Sequence, residues 1–511
     1  MRVALLHFRE NYTPAPPMGI LYLGTVLKKA GFTVKVIDSF PRYHKSTLST
    51  LREFKPDLIG LSVLTTGYRV ASIYTALIRQ EHSHAMLCWG GVHASSLPRE
   101  VLQEQPIDFV VVGEGEVTLK EACLRMESKN DLEGVKGVMF KRDNRIIDNG
   151  PRGLIQNLDT LPIPDRALLE TPNFSWYLTP PGIIRGQFLE GITTFYTSRG
   201  CPFNCIFCCS HNTAGRIFRQ RSVANVLEEI TYLVKDFKVK GLYVNDDTFA
   251  INKEWLFDFC NGLRKKKFKL VWGCQTRANL ISREICLAMK EAGCIQVDIG
   301  AESGSEKVLR ILRKDITPED TLRAFRMAQG AGLKTFATFI LGTPGETALD
   351  IKKTELLAKK IKSRSSFLIL VPYPGSEIYK MAKANNWFCD AKLNFSENWA
   401  NKQSEVPIMA VNLRAGELLA IRAKLQNIFF ARNNLEIIFS FFIKPIYFLR
   451  MLAVFIKNPK IIMNALIECV LQQKASLFLE GIYQQFNAEV MAALFTPLHP
   501  ESSSLQAGEE C

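Results

Sequence analysis

Over residues 1–145 short apolar runs alternate with stretches whose apolar residues recur at helical spacing. The runs Val3–His7, Val34–Asp38, Leu58–Val63, Met86–Gly90 and Asp108–Val112 predict five strands. Gly19–Ala30 (ended by Gly31), Leu48–Phe54 and Tyr68–Gln80 predict helices between them. Strand alternating with helix predicts a parallel, doubly wound α/β sheet. A second series runs from 191 to 375, strand then helix six times, with strands near 192–197, 240–244, 269–274, 295–301, 334–341 and 366–371. It predicts a curved parallel sheet with helices outside. Between the two series, Gly150-Pro-Arg-Gly153, Leu161-Pro-Ile-Pro164 and Thr179-Pro-Pro-Gly182 break the pattern. They predict an extended connector, whose Trp176 and Tyr177 pack between domains or cover a substrate.

After residue 400 the pattern changes. Ala415–Arg432 is helical, Glu436–Lys457 is rich in Phe, Ile and Leu but interrupted by Lys444, Pro445 and Arg450, and Lys457–Lys474 continues with apolar turns. Residues 411–498 carry nine Lys/Arg against five Asp/Glu. Such helices cap the barrel, lie on a membrane or line a hydrophobic substrate's pocket. The tail from Glu501 is polar and expected to be disordered. The expected organisation is 1–145, a sheet domain; 146–190, a connector; 191–400, a barrel core; 401–500, a helical domain; and 501–511, a tail.

Sheets of both kinds bind ligands at the carboxyl ends of their strands, and polar or glycine-rich loops fall there each time. The first series offers Pro16-Pro17-Met-Gly19, Gly90-Gly91-Val92-His93 and Gly113-Glu114-Gly115-Glu116. His93 contacts a ligand or is a loop histidine bonded to backbone. The second offers Asn245-Asp246-Asp247, Gln275-Thr276-Arg277, Gly300-Ala-Glu302-Ser303 and Gly342-Thr-Pro-Gly345-Glu346. Asp246 and Asp247 bind substrate or shuttle a proton, or else cap the helix that starts near Lys253. Arg277 forks onto a carboxylate or bonds a neighbouring loop.

Composition adds limits. A chain of 511 residues predicts two to four domains, and 47% hydrophobic content supplies their cores. No run of 18 uninterrupted apolar residues predicts a spanning helix, and the first apolar run is too short for a signal peptide's core. The formal charge of +14 is spread along the chain, and its densest run, Arg264-Lys265-Lys266-Lys267, sits at a predicted helix end. Nucleic acid is therefore a minor expectation. Thirteen cysteines are scattered, apart from one cluster, which fits a reducing cytoplasm rather than a disulfide framework.

That cluster is Cys201-Pro-Phe-Asn-Cys205-Ile-Phe-Cys208, directly after the first strand of the second series. Three thiolates on one loop can hold three irons of a cubane and leave the fourth open. A zinc knot is the alternative, although no second hook follows. Cys209 is a spare thiol. With Phe207 before its last cysteine, the loop resembles the signature of radical S-adenosylmethionine (SAM) enzymes. The first series, with Gly-Gly-x-His-Ala from Gly90 and Gly-Glu-Gly-Glu from Gly113, resembles the cobalamin-binding module that precedes many radical SAM domains.

The resemblance implies a flavodoxin-like domain, a partial (βα)6 barrel, and three cofactors: a [4Fe-4S] cluster, SAM and cobalamin. It implies cluster ligation by Cys201, Cys205 and Cys208, and SAM contacts from Phe207, Glu302, Ser303, Gly342 and Glu346. Asp246 and Asp247 would also be placed to meet a polar group of SAM. It implies corrin contacts from Pro17, Gly19, Ser62, Gly90, Gly91, His93, Gly113, Glu114 and Gly115. None of the seven histidines stands in the DxHxxG context of cobalt-ligating histidines, so the resemblance implies base-off cobalamin with no histidine below cobalt. The implied activity is functionalisation of an unactivated carbon, by methyl transfer or by radical cyclisation or oxidation of a tetrapyrrole-like or lipid substrate. An electron donor such as flavodoxin or ferredoxin is implied with it. A non-catalytic corrinoid or iron–sulfur binding protein is the reading from another class, and a complete set of SAM-binding loops argues against it. The expected location is cytoplasmic, with membrane contact through the C-terminal region as the variant.

Overall fold

The structure, a computed structural model, describes residues 1–9, 15–40, 43–143, 145–171, 173–178, 184, 191–389, 395 and 407–443. Packing divides the chain into two compact units, Met1–Glu436 and Ile437–Cys511. The first unit holds both predicted sheets. The apolar stretch from Lys444, the tail from Glu501 and the Thr179–Gly182 break lie outside the described residues.

The N-terminal sheet comprises β1 (Arg2–Phe8), β2 (Thr33–Ser39), β3 (Leu58–Ser62), β4 (Met86–Gly90), β5 (Phe109–Val111), β6 (Val138–Arg142), β7 (Arg145–Asp148) and β8 (Leu169–Thr171). Their order is β7-β6-β5-β4-β3-β1-β2-β8. The five predicted strands form its parallel centre, β5-β4-β3-β1-β2. β1 is buried along nearly its whole length because helices cover both faces. The chain leaves β1 toward β2 on one side and β3 on the other, which opens a crevice at the carboxyl ends. Three further strands are additions to the sequence reading. β6 and β7 form an antiparallel hairpin beyond β5, and β8, from the connector, pairs parallel with β2. Edge strands are half-exposed, and β7 buries no residue, so their hydrophobic period is weak.

The second sheet takes β9 (Ile192–Phe195), then, after a short antiparallel pair of β10 (Ser198–Arg199) and β11 (Arg219–Gln220), β12 (Gly241–Val244), β13 (Val271–Arg277), β14 (Cys294–Glu302), β15 (Lys334–Leu341) and β16 (Arg364–Ile369). All six long-sheet strands are parallel, in the order β9-β12-β13-β14-β15-β16. Each is followed by a helix, and side-chain caps fix where those helices begin. Ser222, Asn252, Ser282 and Ser376 each accept a backbone N–H, and Thr317/Asp320 and Thr347/Asp350 form full capping boxes. The helix Ala415–Ile443 buries Leu418, Leu425 and Phe429, with Phe429 5.3 Å from Phe367. Among the described residues no helix is long and apolar enough to cross a membrane.

The connector is a strap between the sheets. Arg166 and Arg221 both bind Glu229, at 2.8 and 2.5 Å, with side-chain exposures of 0%, 5% and 0%. Tyr177 donates to Asp38 at 2.6 Å, and the backbone N–H of Asp165 donates to Thr25 in the first helix at 2.9 Å. Tyr177 thus takes the packing role of its two readings; the side chain of Trp176 lies outside the described residues. Glu229→Ala strands two buried guanidinium groups, so the unfolding free energy from urea titration is expected to fall by about 3–5 kcal/mol. An unchanged midpoint would contradict the burial of the triad.

Candidate active site

Two neighbouring carboxylates after β12 hold the cysteine loop from below. Asp246, 1% exposed, accepts the N–H of Thr197 at 2.7 Å, the N–H of Ser198 at 3.2 Å, the Ser198 hydroxyl at 2.7 Å and the Thr197 hydroxyl. Burial raises its pKa to about 6 against the pull of those four donors. Asp247 lies near the Gly200 N–H and the Ser210 hydroxyl, one on each side of the cysteines, and both pull its pKa down. Partial burial also raises its pKa, although part of its side chain reaches solvent. Neither carboxylate caps the next helix; Asn252 does, accepting the Trp255 N–H at 3.0 Å. Gly200 has φ +82°, and a Cβ there would collide with the carbonyl oxygens of Ile217 and Ala214.

The three cysteines are free thiols, and each faces a polar group. Thr248 Oγ1 is 3.5 Å from Cys201 Sγ, and Ser210 Oγ is 3.2 Å from Cys208 Sγ. Arg277, 4% exposed, donates from one terminal nitrogen to Cys205 Sγ at 3.2 Å and from the other to the Lys314 carbonyl. Its guanidinium carbon lies 3.7 Å from the centre of the Phe203 ring. Arg277 therefore bonds a neighbouring loop instead of forking onto a carboxylate. Among the described residues no three His, Cys, Asp or Glu side chains converge on a single metal ion. A cubane spreads its ligands wider than one ion does, and three thiols on one loop with hydrogen-bond donors about them suit it.

At the ends of β14 and β15 the polar residues largely hold one another. Glu302, in the left-handed region at φ +58°, pairs with Lys314 at 2.6 Å, both 7% exposed. Ser303 bonds Thr354 at 3.1 Å and accepts the Ser305 N–H at 3.1 Å, tying the strand end to the helix Ala348–Ile361. Glu346 accepts the N–H groups of Gly342 and Thr343 at 2.6 and 3.2 Å, which closes the turn around Gly342 at φ +84°. Burial raises its pKa to about 7. Its second oxygen and the Thr343 hydroxyl are buried without a partner. Two orphaned oxygens in one strand-end loop suit a ligand that brings donors to them, as an adenine amino group would. Phe207 packs on the cluster that contains Ile206, Leu370 and Ile378.

At the first sheet, Pro17 precedes the helix Met18–Lys29. A Cβ added at Gly19 or Gly113 would meet nothing within 4 Å, whereas one at Gly91 would press on Val63 and Ser62 at 3.0–3.1 Å. Glycines that leave free surface at strand ends suit a broad, flat ligand such as a corrin. Ser62 and Gly90 each end a strand and accept backbone or ring nitrogens through their carbonyls. His93, 1% exposed, bonds Thr65 Oγ1 at 3.1 Å, and its ring lies 4.7 Å from Tyr68 and 5.0 Å from Phe395. Burial lowers its pKa to about 4. It stands in the short helix Gly91–Ser96, with its ring bonded to a hydroxyl and not to backbone.

Glu114 and Glu116 turn toward the other sheet. Arg199, two residues before Cys201, donates to Glu114 at 3.1 Å and to Glu116 at 2.6 Å. Arg219 binds Glu114 at 2.8 Å, and the Ile155 N–H donates to it at 2.7 Å. Gly115 starts the following helix against Leu23. Sequence reasoning missed Arg199, Arg219, Thr248, Ser210 and Lys314. Arg199, just before the cysteines, and Thr248, just after the two aspartates, alone carried a signal.

Comparison with known proteins decides the family. Residues 195–358 match the radical SAM superfamily and residues 9–123 match the B12 binding domain. An uncharacterised methyltransferase of Pyrococcus horikoshii is 32% identical over 78% of this chain and 83% of its own. The chain is a cobalamin-binding radical SAM enzyme. An anaerobic magnesium-protoporphyrin IX monomethyl ester cyclase of Cereibacter sphaeroides is 30% identical over 70% of this chain and 60% of that protein. In fold, the chain is similar to the cobalamin-dependent SAM radical enzyme OxsB solved with aqua-cobalamin and SAM (TM-score 0.68, 17% identity, 96% of this chain and 78% of that one). Membership brings the cofactor set, a [4Fe-4S] cluster, SAM and cobalamin, and the need for a reductant.

The Arg277 contact carries a prediction. A fixed cation donating to a ligand sulfur favours the cluster's reduced, more negative state. Arg277→Gln is expected to lower the cluster's midpoint potential in an EPR-monitored redox titration, with Arg277→Lys intermediate; equal potentials would contradict the contact.

Proposed function

We propose that this enzyme transfers a methyl group to carbon in a small organic substrate held at the mouth where the cysteine loop meets the β4 and β5 loops. The observation that carries it is the Arg199 bridge. A residue next to the cluster loop is bound by the glutamates of the corrin-side loop, so both cofactor loops form one wall. A reaction needing only the cluster and SAM has no use for that junction. The P. horikoshii relative, which shares most of its length with this chain, is named a methyltransferase.

Bound at this wall, the cofactors supply an electron, a 5′-deoxyadenosyl radical and a transferable methyl group. The chain's own residues hold and orient them. Cys201, Cys205 and Cys208 hold the cluster, and Asp246 and Asp247 fix their loop so that it need not reorganise. The backbone around Gly342, shaped by Glu346, and the Glu302–Lys314 pair line the SAM side. Gly19 and Gly113 leave room for the corrin. His93 is engaged by Thr65. Asp247, the carboxylate with an open side, is placed to meet substrate or a proton.

Radical cyclisation is the second reading, because the C. sphaeroides cyclase matches nearly as large a share of this chain. Extract from the source cells, incubated anaerobically with the reconstituted protein and methyl-deuterated SAM, separates the two by mass spectrometry. A new product carrying three deuteriums is expected. An unlabelled product that has lost two hydrogens, formed with 5′-deoxyadenosine, would replace methylation by cyclisation. Cys205→Ala is expected to abolish 5′-deoxyadenosine formation in either case.

A further inference from the structure

The site uses the carboxyl ends of the second sheet's strands, so the rim at their amino ends takes no part in its chemistry. Five segments meet on that rim, each running from the last turn of a helix to the start of β12, β13, β14, β15 or β16. They are residues 235–240, 264–270, 289–293, 328–334 and 359–364. Parallel pairing sets them side by side. The Val271 N–H donates to the Lys240 carbonyl at 3.2 Å, and the Trp272 N–H to the Gly293 carbonyl at 3.1 Å. The Lys290 ammonium donates to the Gly332 carbonyl at 2.8 Å, and the Gln329 side-chain amide to the Ile361 carbonyl at 2.9 Å. The five segments form one continuous arc.

Cations that are spread along the sequence are gathered by the fold on this arc. Its segments carry twelve Lys and two Arg against two acids, Asp236 and Glu291, a surplus that makes up most of the chain's formal +14. Arg264 takes Glu291 at 3.0 Å. Asp236 shares a shallow groove with Glu228, Lys235 and Lys266. Lys359 is taken by Glu355 of its own helix. Lys238, Lys240, Lys265, Lys267, Lys269 and Lys362 are exposed and form no ion pair among the described residues. A lysine in the last turn of a helix answers its dipole, which accounts for Lys235, Lys265 and Lys290. It does not account for Lys240 and Lys269, which stand beyond the helix ends. Lys238, Lys267 and Lys362 are left-handed helix caps at φ +55°, +51° and +49°, positions that glycine fills without strain.

We infer that this lysine arc docks the protein on an anionic lipid surface. Ammonium groups are point charges that need no fixed geometry, which suits a fluid layer of charged headgroups. A polynucleotide favours the planar arginine fork, and only two Arg stand here, one of them spent on Glu291. Nor does the arc offer bases a ring to stack on, since its aromatics, Phe237 and Phe268, pack on the core. Among the described residues no large apolar side chain of the arc is exposed, so the attraction is electrostatic and not insertion. Held by its amino rim, the barrel turns its mouth away from the lipid, and substrate reaches it from the aqueous side.

Anaerobic sedimentation of the reconstituted full chain with vesicles tests this, using phosphatidylcholine alone or mixed with phosphatidylglycerol. The protein is expected to pellet with the mixed vesicles and not with phosphatidylcholine alone, and added salt should release it. Lys265→Gln, Lys266→Gln, Lys269→Gln and Lys360→Gln together are expected to lower the partition coefficient by about a hundredfold or more. Lys29→Gln, Lys45→Gln, Lys129→Gln and Lys383→Gln remove the same charge from exposed lysines outside the arc. That variant should bind much as the wild type does. If the fourfold arc variant unfolds early, Lys269→Gln with Lys360→Gln decides, with an expected loss of about tenfold or more. Equal losses in the two sets would make net charge the cause and overturn the arc. So would an arc variant that binds like the wild type, or wild-type binding to phosphatidylcholine as strong as to the mixture. A wild type that ignores mixed vesicles also overturns the inference, and its retention of an RNA or DNA duplex would then name nucleic acid as the partner.

Discussion

The arrangement depends on one charged junction. Arg199 and Arg219, from the short hairpin that flanks the cysteines, meet Glu114 and Glu116, from the loop after β5. Their side-chain exposures are 18%, 3%, 7% and 6%. Two cations and two carboxylates balance, so the group can be buried without leaving a net charge. Burial would lower the pKa of Arg199, but Glu116 and Glu114 outweigh it and raise it. The guanidinium also lies over the Tyr22 ring, 5.0 Å from its centre, which extends the junction to the first helix. A charged pair is directional where apolar packing is not. The junction therefore fixes where one sheet's ligand loops stand against the other's.

The same logic explains why so many polar residues at strand ends face protein. Asp246, Glu302, Ser303 and Glu346 all point to ligands in a motif reading, yet each is bonded to its own surroundings, Glu346 through one oxygen only. Their bonds stiffen the loops at the strand ends. A site assembled this way is preorganised, and little reordering is needed when cofactors bind. The groups not saturated in this way are the three thiols, the open side of Asp247, and the two orphaned oxygens at Thr343 and Glu346.

Much of this was legible in the sequence, for physical reasons that differ by element. Central strands are buried on both faces, so their apolar runs stand out, and all eleven predicted strands are found, within a few residues. The edge strands β7 and β8 are short, and β6, buried over Val138–Phe140, ends in two charged residues, so none leaves such a trace. Cysteine spacing is local and reads directly. The partners of Arg199 lie 85 and 83 residues away, and that of Arg219 lies 105 away, so nothing in the local pattern pairs them. Glu114 and Arg277 were visible as functional types, but whether a charged group faces a ligand or a neighbouring loop is decided by tertiary placement. Asp246 and Asp247 show the same limit, since the helix cap they might have supplied comes from Asn252.

The central claim is that the junction holds two cofactors over one shared space. EPR of the protein carrying both a reduced cluster and cob(II)alamin tests it most directly, because two unpaired spins in one cavity perturb each other's signals. Magnetic coupling is expected in the wild type, and it should weaken in Arg199→Ala with Glu116→Ala while each cofactor still binds. Two independent, unperturbed signals in the wild type would contradict it.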